Sequence, residues 1–218
     1  MNGHHNLPPI SAAILAGGQS RRMGTDKALV SLLPGGPPLL EIVIERLRPL
    51  TDDLFIVATD RPAYARFGVP VHPDCYGATG VLGGIGSALR YARHEHCLVV
   101  GCDMPFLDDD LLQALIAGIS SADAVVPRIA GKSRQGGSTV LQPLHAVYSR
   151  RCLLAVERAL RQGRLQAIAF LPDVHVRVIG ERALRRLDPN LRSLVSVNTP
   201  EMLAAARQWA TEASVYQE

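Results

Sequence analysis

The chain has 218 residues, 47% hydrophobic and 20% charged, which is enough apolar material for one α/β domain with a full core. A net charge of +3 and an aromatic content of 5% argue against the strongly basic, base-stacking surface of a nucleic-acid binder. No apolar run nears the roughly 20 residues of a bilayer span, and the polar start of the chain lacks the layout of a signal peptide, so a single domain over 1–218 working in the cytoplasm without a membrane is expected.

The first predicted element is a buried strand over Ile10–Leu15, which stops at the pair Gly17-Gly18. A polar loop with Arg21, Arg22, Gly24 and Lys27 follows. Glycines there let main-chain N–H groups turn toward an anion with no Cβ in the way. The spacing is neither G-x-G-x-x-G nor G-x-x-x-x-G-K-[S/T], which argues against a dinucleotide-dependent oxidoreductase and a P-loop. Either a third kind of nucleotide loop or an unliganded turn fits. Of the 23 basic residues only Lys27 and Lys132 are lysine, and a lysine just after a glycine loop is a compact charge on a flexible stem, suited to a moving phosphate.

Next come a helix over Leu39–Leu47, a strand over 54–58, and a segment from Pro73 to Gly86 in which Asp74 is followed by five glycines that run into a helix expected over 85–93. Asp74 either accepts from a nucleotide or caps the loop. His94-Glu95-His96 lacks H-E-x-x-H spacing and reads as a polar turn. A strand over 97–101 leads to Cys102-Asp103-Met104-Pro105. A carboxylate at a strand end is a natural hard ligand for Mg²⁺ beside substrate phosphates, and with the glycine loop at another strand end the two could share one nucleotide.

Helices are expected over 108–119, 150–161 and 200–210, with Asp108 and Thr199 as caps and Pro200 in the first turn. Strands are expected over 124–127, 174–179 and 194–197. Asn198 falls between the last strand and the last helix. Ten arginines between Arg150 and Arg192 could greet an anion, though most read as solvated helix surface. The cysteines Cys75, Cys97, Cys102 and Cys152 show no C-x-x-C or zinc spacing and read as free thiols. Strand and helix alternate throughout, which predicts an α/β fold of Rossmann-like, three-layer α/β/α type with a mainly parallel sheet. Ligands in such a sheet lie beyond the carboxyl ends of the strands.

The stretch Leu15-Ala16-Gly17-Gly18-x-Ser20-x-Arg22-Met23-Gly24-x-Asp26-Lys27 resembles the signature of molybdenum cofactor guanylyltransferases. In the same order along the chain, Pro38-Leu39-Leu40-Glu41, Gly80-Val81-Leu82-Gly83-Gly84-Ile85, Cys102-Asp103-Met104-Pro105, Gln142-Pro143-Leu144-His145 and Val197-Asn198-Thr199-Pro200 resemble later segments of that family. The likeness spans about residues 10–207. It implies transfer of GMP from GTP to the phosphate of molybdopterin, with release of pyrophosphate and Mg²⁺ as cofactor. It implies nucleotide contacts at Leu15, Ala16, Gly17, Gly18, Lys27, Asp74 and Asp103, metal binding at Asp103, catalytic roles for Arg22, Lys27 and Asp103, and acceptor binding at Asn198. Partner proteins that handle the labile cofactor are implied by the resemblance alone.

The chain departs from the family's pattern at Asp60, where an asparagine usually contacts the nucleotide, at Val81 in place of a proline, and at His145 in place of an aromatic. The turn over 33–38 is slightly long. Alternatives from the residues themselves are a cytidylyl or sugar-phosphate nucleotidyltransferase and a non-catalytic nucleotide-binding module. Gly17, where cytidylyltransferases tend to carry alanine, leaves room for a purine.

Overall fold

The structure is a computed structural model that describes residues 7–16, 26–58, 62–77, 79–131 and 139–215. Its order of elements is β1 (Ile10–Leu15), α1 (Leu39–Leu47), β2 (Asp53–Val57), β3 (Val71–His72), α2 (Gly80–Tyr91), β4 (His96–Gly101) and α3 (Asp109–Ala117), then β5 (Ala124–Ala130), β6 (Thr139–Leu141), β7 (His145–Ser149), α4 (Cys152–Arg161), β8 (Val176–Gly180), α5 (Glu181–Leu184) and α6 (Pro200–Val215).

All eight strands join one sheet in the order β3-β2-β1-β4-β7-β5-β6, with β8 pairing β5 off that path. β1 runs parallel to β2 and β4, and β2 runs parallel to β3. β5 and β8 are also parallel, whereas β7 is antiparallel to both its neighbours and β6 is antiparallel to β5. β1 is buried along its whole length, as expected of a central strand covered on both faces.

Two large apolar clusters occupy the two faces of the sheet. Ala12 and Ile14 of β1 fall in one, with Leu40, Val43, Ile44 and Leu47 of α1 and Leu111, Leu112 and Leu115 of α3. Ala13 and Leu15 fall in the other, with Leu82, Ile85 and Leu89 of α2 and Val156 of α4. The alternation within β1 is the period-2 rule at work. Helix α1 forms because its apolar residues recur along one face, and each fully buried leucine or isoleucine contributes roughly 1.5–3 kcal/mol.

The expected start of α3 holds: Asp108 Oδ1 accepts from the Leu111 amide at 2.8 Å, with Asp109 and Asp110 adding charge to the positive end of the helix. Thr199 caps α6 as read, its Oγ1 accepting from the Met202 amide at 3.2 Å. The turn over 33–38 is well formed, with the Gly36 amide donating to the Leu33 carbonyl at 3.0 Å and Gly35 at φ 73°.

Two expectations need correction. Residues 194–197 are not a strand. A 3-10 turn covers Arg192–Leu194, and the Val197 amide donates to the Asp103 carbonyl at 2.8 Å rather than to a sheet neighbour. The helix after Asp74 starts earlier than residue 85, since α2 begins at Gly80 and contains Gly83, Gly84 and Gly86. A Cβ on Gly84 would come 2.8 Å from Leu15 Cδ1, one on Gly86 would come 2.8 Å from the Tyr76 ring, and one on Gly83 would collide with the Thr79 hydroxyl. These glycines let α2 lie close to β1 and to its own leading loop. Among the described residues no helix is long and apolar enough to cross a membrane.

Candidate active site

The sheet has a topological switch point between β1 and β4. From β1 the chain moves outward to β2 and β3, then returns to β4 on the other side of β1. Ligands of open α/β sheets bind in the crevice at such a point, outside the carboxyl ends of the strands. Leu15 is paired with Gly101 at that end, and the Cys102 amide donates to the Leu15 carbonyl at 3.1 Å. On the other side of β1 the Ala16 amide donates to the Val57 carbonyl at 3.0 Å, and the Ala58 amide to the His72 carbonyl at 2.9 Å. Parallel pairing therefore delivers the residues that follow β1, β2, β3 and β4 to one edge.

The structure brings two of the expected residues together there. Lys27 Nζ lies 3.8 Å from Asp103 Oδ2, with 22% and 18% of their side chains exposed. Lys27 opens a short 3-10 turn, Lys27–Leu29, capped by Asp26, whose Oδ1 accepts from the Ala28 amide at 3.2 Å. Burial raises the pKa of the Asp103 carboxyl above the usual range, and the Lys27 ammonium and the nearby Ser196 act in the opposite direction. Burial disfavours the charged form of the carboxyl, and among the described residues the Lys27 ammonium offsets part of that effect. Cys102 beside it is pushed far up by burial and by the nearby carboxylates of Asp103 and Asp26, so it stays a neutral thiol.

Two residues that the sequence did not single out shape this carboxylate. A Cβ on Gly101 would come 2.8 Å from Asp103 Oδ1, so only glycine leaves the carboxylate where it is. Ser196, in the segment that precedes α6, lies near enough to lower the pKa of the Asp103 carboxyl. That segment also carries Asn198, and the bond from the Val197 amide to the Asp103 carbonyl brings it to the end of β4. It is anchored upstream by a buried polar cluster. The Ser193 amide donates to Asp188 Oδ2 at 2.7 Å, and Ser193 Oγ accepts from the Asp108 amide at 3.1 Å and bonds His145 Nε2 at 3.2 Å. His145 is fully buried, its Nδ1 meets no partner among the described residues, and burial pushes its pKa down to about 3. It is a neutral prop under the edge of the site.

Asp74, just beyond β3, holds its own loop. Its Oδ1 accepts from the Tyr76 amide at 2.9 Å and from Ser87 Oγ at 2.8 Å, so the capping role is present, and both bonds use one oxygen. Gly17, Gly18, Arg22 and Asp60 lie outside the described residues. Of the ten arginines between Arg150 and Arg192, five (Arg151, Arg161, Arg164, Arg185 and Arg192) are ion-paired with acids, as a solvated surface would have them. His94 bonds Asp52 at 2.7 Å in a turn, as read, and all four cysteines are free.

Residues 12–178 match the family model described as MobA-like NTP transferase domain. A relative from Desulfosudis oleivorans named molybdenum cofactor guanylyltransferase is 36% identical over 201 residues, covering 92% of this chain and 95% of the relative. Molybdopterin-guanine dinucleotide biosynthesis protein A from Archaeoglobus fulgidus superposes with a TM-score of 0.77 at 28% identity, over 93% of this chain and 99% of that one. The 4-diphosphocytidyl-2C-methyl-D-erythritol synthase of Anaerococcus prevotii shares the fold, with a TM-score of 0.66 at 17% identity over 94% and 96% of the two chains. Sequence and fold agree that this chain is a nucleotidyltransferase and belongs to the MobA-like NTP transferase family.

Proposed function

We propose that the protein transfers GMP from GTP to the phosphate of molybdopterin, releasing pyrophosphate and forming molybdopterin guanine dinucleotide. The observation that carries this reading is the Lys27–Asp103 pair, 3.8 Å apart at the β1/β4 crevice. The guanylyltransferase relative supports guanine over a cytidylyl or sugar-phosphate alternative. Retention of both charged residues speaks against a non-catalytic binding module.

The acceptor phosphate is already anionic near neutral pH. Its attack on the α-phosphorus therefore needs positioning and charge stabilisation more than a base. His145 is no candidate base, since it is buried, neutral and bonded to Ser193. Lys27, with Arg22 from the glycine loop, stabilises the leaving pyrophosphate. Backbone groups of Leu15, Ala16, Gly17 and Gly18 hold the guanine nucleotide. Asp74 keeps Oδ2 outside its loop-holding bonds and offers that oxygen to the nucleotide, while contact with the base is assigned to Asp60 and contact with the acceptor to Asn198.

Asp103 suits Mg²⁺. It is a hard oxygen donor in a desolvated place, and among the described residues no group of three or more His, Cys, Asp or Glu could form an all-protein cage. Mg²⁺ takes one or two carboxylates and completes its shell with phosphate oxygens and water. When bound, the ion would supply neutralisation of charge on the α- and β-phosphates. The free thiols and the nucleotide substrate fit a cytoplasmic enzyme, and the labile product fits hand-over to cofactor-handling partners.

Isothermal calorimetry with GTP, CTP, ATP and UTP, each with and without Mg²⁺, tests this reading. GTP-selective binding that tightens with Mg²⁺ is expected. Preference for CTP or UTP would move the chain to a sister reaction, and binding of no nucleotide would remove the reading altogether.

A further inference from the structure

Lys27 has a flexible stem, so the direction of its ammonium depends on how firmly the root of the side chain is held. The root is the 3-10 turn capped by Asp26. The capping carboxylate is itself gripped from another part of the chain. The Tyr64 hydroxyl stands 3.0 Å from Asp26 Oδ1 and 2.9 Å from Oδ2, across 38 residues of sequence.

Tyr64 lies in the 3-10 stretch Pro62–Phe67 that follows β2, and it is fully buried. Its ring belongs to the same apolar cluster as Ala16, Ala28 and Ala58. A phenylalanine would fill that volume equally well. The hydroxyl is a polar atom carried into a core, and such an atom is retained without cost only where it meets a partner. Here the partner is a charged acceptor, which makes the bond stronger than a neutral one.

We infer that Tyr64 is a positioning residue for Lys27: its hydroxyl fixes the Asp26 cap, and the cap fixes the turn that aims the lysine ammonium into the crevice beside Asp103. The same contact braces the 3-10 stretch Pro62–Phe67 against the turn Lys27–Leu29. The inference rests on the reading of Lys27 as a ligand of the outer phosphates.

The test is calorimetry on the full chain with GTP and with GMP, both with Mg²⁺, for the wild type, Tyr64→Phe, Lys27→Ala and the double variant. Circular dichroism and thermal melting check folding. Tyr64→Phe is expected to weaken GTP binding roughly tenfold, in line with a lost hydrogen bond to a charged group. It should leave GMP, which lacks the outer phosphates, within about twofold. In the Lys27→Ala background the same change should add nothing.

Equal losses for GTP and GMP, or equal losses in both backgrounds, would make the contact general scaffolding and overturn the inference. So would an unchanged affinity for GTP in Tyr64→Phe while Lys27→Ala is impaired. If Lys27→Ala itself binds GTP like the wild type, the phosphate reading of Lys27 falls, and the inference with it. Should Tyr64→Phe fail to fold, Asp26→Ser, which keeps a capping oxygen and gives up the two-oxygen grip, is read through the same cycle. Additive losses there would overturn the inference, and loss confined to GTP in the Lys27 background would sustain it.

Discussion

Between β3 and β4 every neighbouring pair of strands is parallel, while from β4 through β7 and β5 to β6 every pair on the main path is antiparallel. Parallel strands end on one edge, so the first half collects Ala16, Ala58, Asp74 and Asp103 at a single rim. Antiparallel strands send successive ends to opposite edges and cannot gather groups in that way. The charges differ accordingly. Asp103 is mostly buried with Lys27 as its cation, whereas many of the arginines in the second half are paired with acids at the surface. The second half nonetheless supports the first, because antiparallel pairing sets His145 opposite Val100, next to the end of β4.

Substitutions should respect this division. The largest effects belong to the two charges at the rim. Asp103→Ala and Lys27→Ala are each expected to lower turnover at least roughly 100- to 1000-fold, the cost of losing one well-placed electrostatic group. Circular dichroism should show both variants folded. Near-normal Mg²⁺-supported activity in Asp103→Ala would contradict the metal assignment.

Gly101→Ala should follow. The added Cβ would sit 2.8 Å from Asp103 Oδ1 and must push the carboxylate aside. A displacement of that kind costs roughly 10- to 100-fold in turnover, with GTP binding less affected. Steady-state kinetics separates the two effects, and unchanged turnover would show that the carboxylate's placement is not critical.

His145 stands at the boundary and should affect stability against pH more than chemistry. Its pKa is depressed to about 3 in the folded state from an ordinary value of 6.5. Between those values the unfolded chain binds a proton that the folded chain refuses, so stability falls as pH falls through that window. The slope is up to about 1.4 kcal/mol per pH unit for one site. His145→Phe should flatten the acid limb of a melting-temperature profile while leaving turnover at neutral pH little changed. An unaltered acid limb would show that other groups govern it.

The smallest effect is expected in the antiparallel half. Arg182 of α5 is exposed, and Arg182→Ala should leave stability within about 0.5 kcal/mol and turnover unchanged. A large loss of turnover would extend the site beyond the rim.

Much of the rim was readable from the sequence, because parallel α/β units advertise themselves locally. β1 is a short apolar run and α1 carries a helical apolar pattern, and both have the bounds expected of them. Asp103 and Lys27 are legible as a strand-end acid and a loop-end lysine, and their sharing of one site follows from parallel strands that end on one edge. Other features had no local signal. β7 was not read as a strand, since it enters between β4 and β5 by pairing with residues far away in sequence. Residues 194–197 carry strand-like apolar character, yet the Leu194 and Val195 amides close a 3-10 turn on Leu191 and Arg192, and the Val197 amide bonds the Asp103 carbonyl instead of a ladder. The glycines of α2 looked like a loop because close packing against Leu15 and Tyr76 leaves the same signature as a flexible turn. Tyr64 acts through a hydroxyl that no spacing rule marks.

The most direct test is the reaction itself: purified protein, molybdopterin and Mg²⁺, with GTP or CTP labelled at the α-phosphate. Label from GTP should pass into a molybdopterin dinucleotide with equal release of pyrophosphate, and Asp103→Ala should abolish most of that transfer. Transfer from CTP in preference to GTP, or no transfer from either by a folded wild-type protein, would contradict the assignment of guanylyl transfer to the β1/β4 crevice.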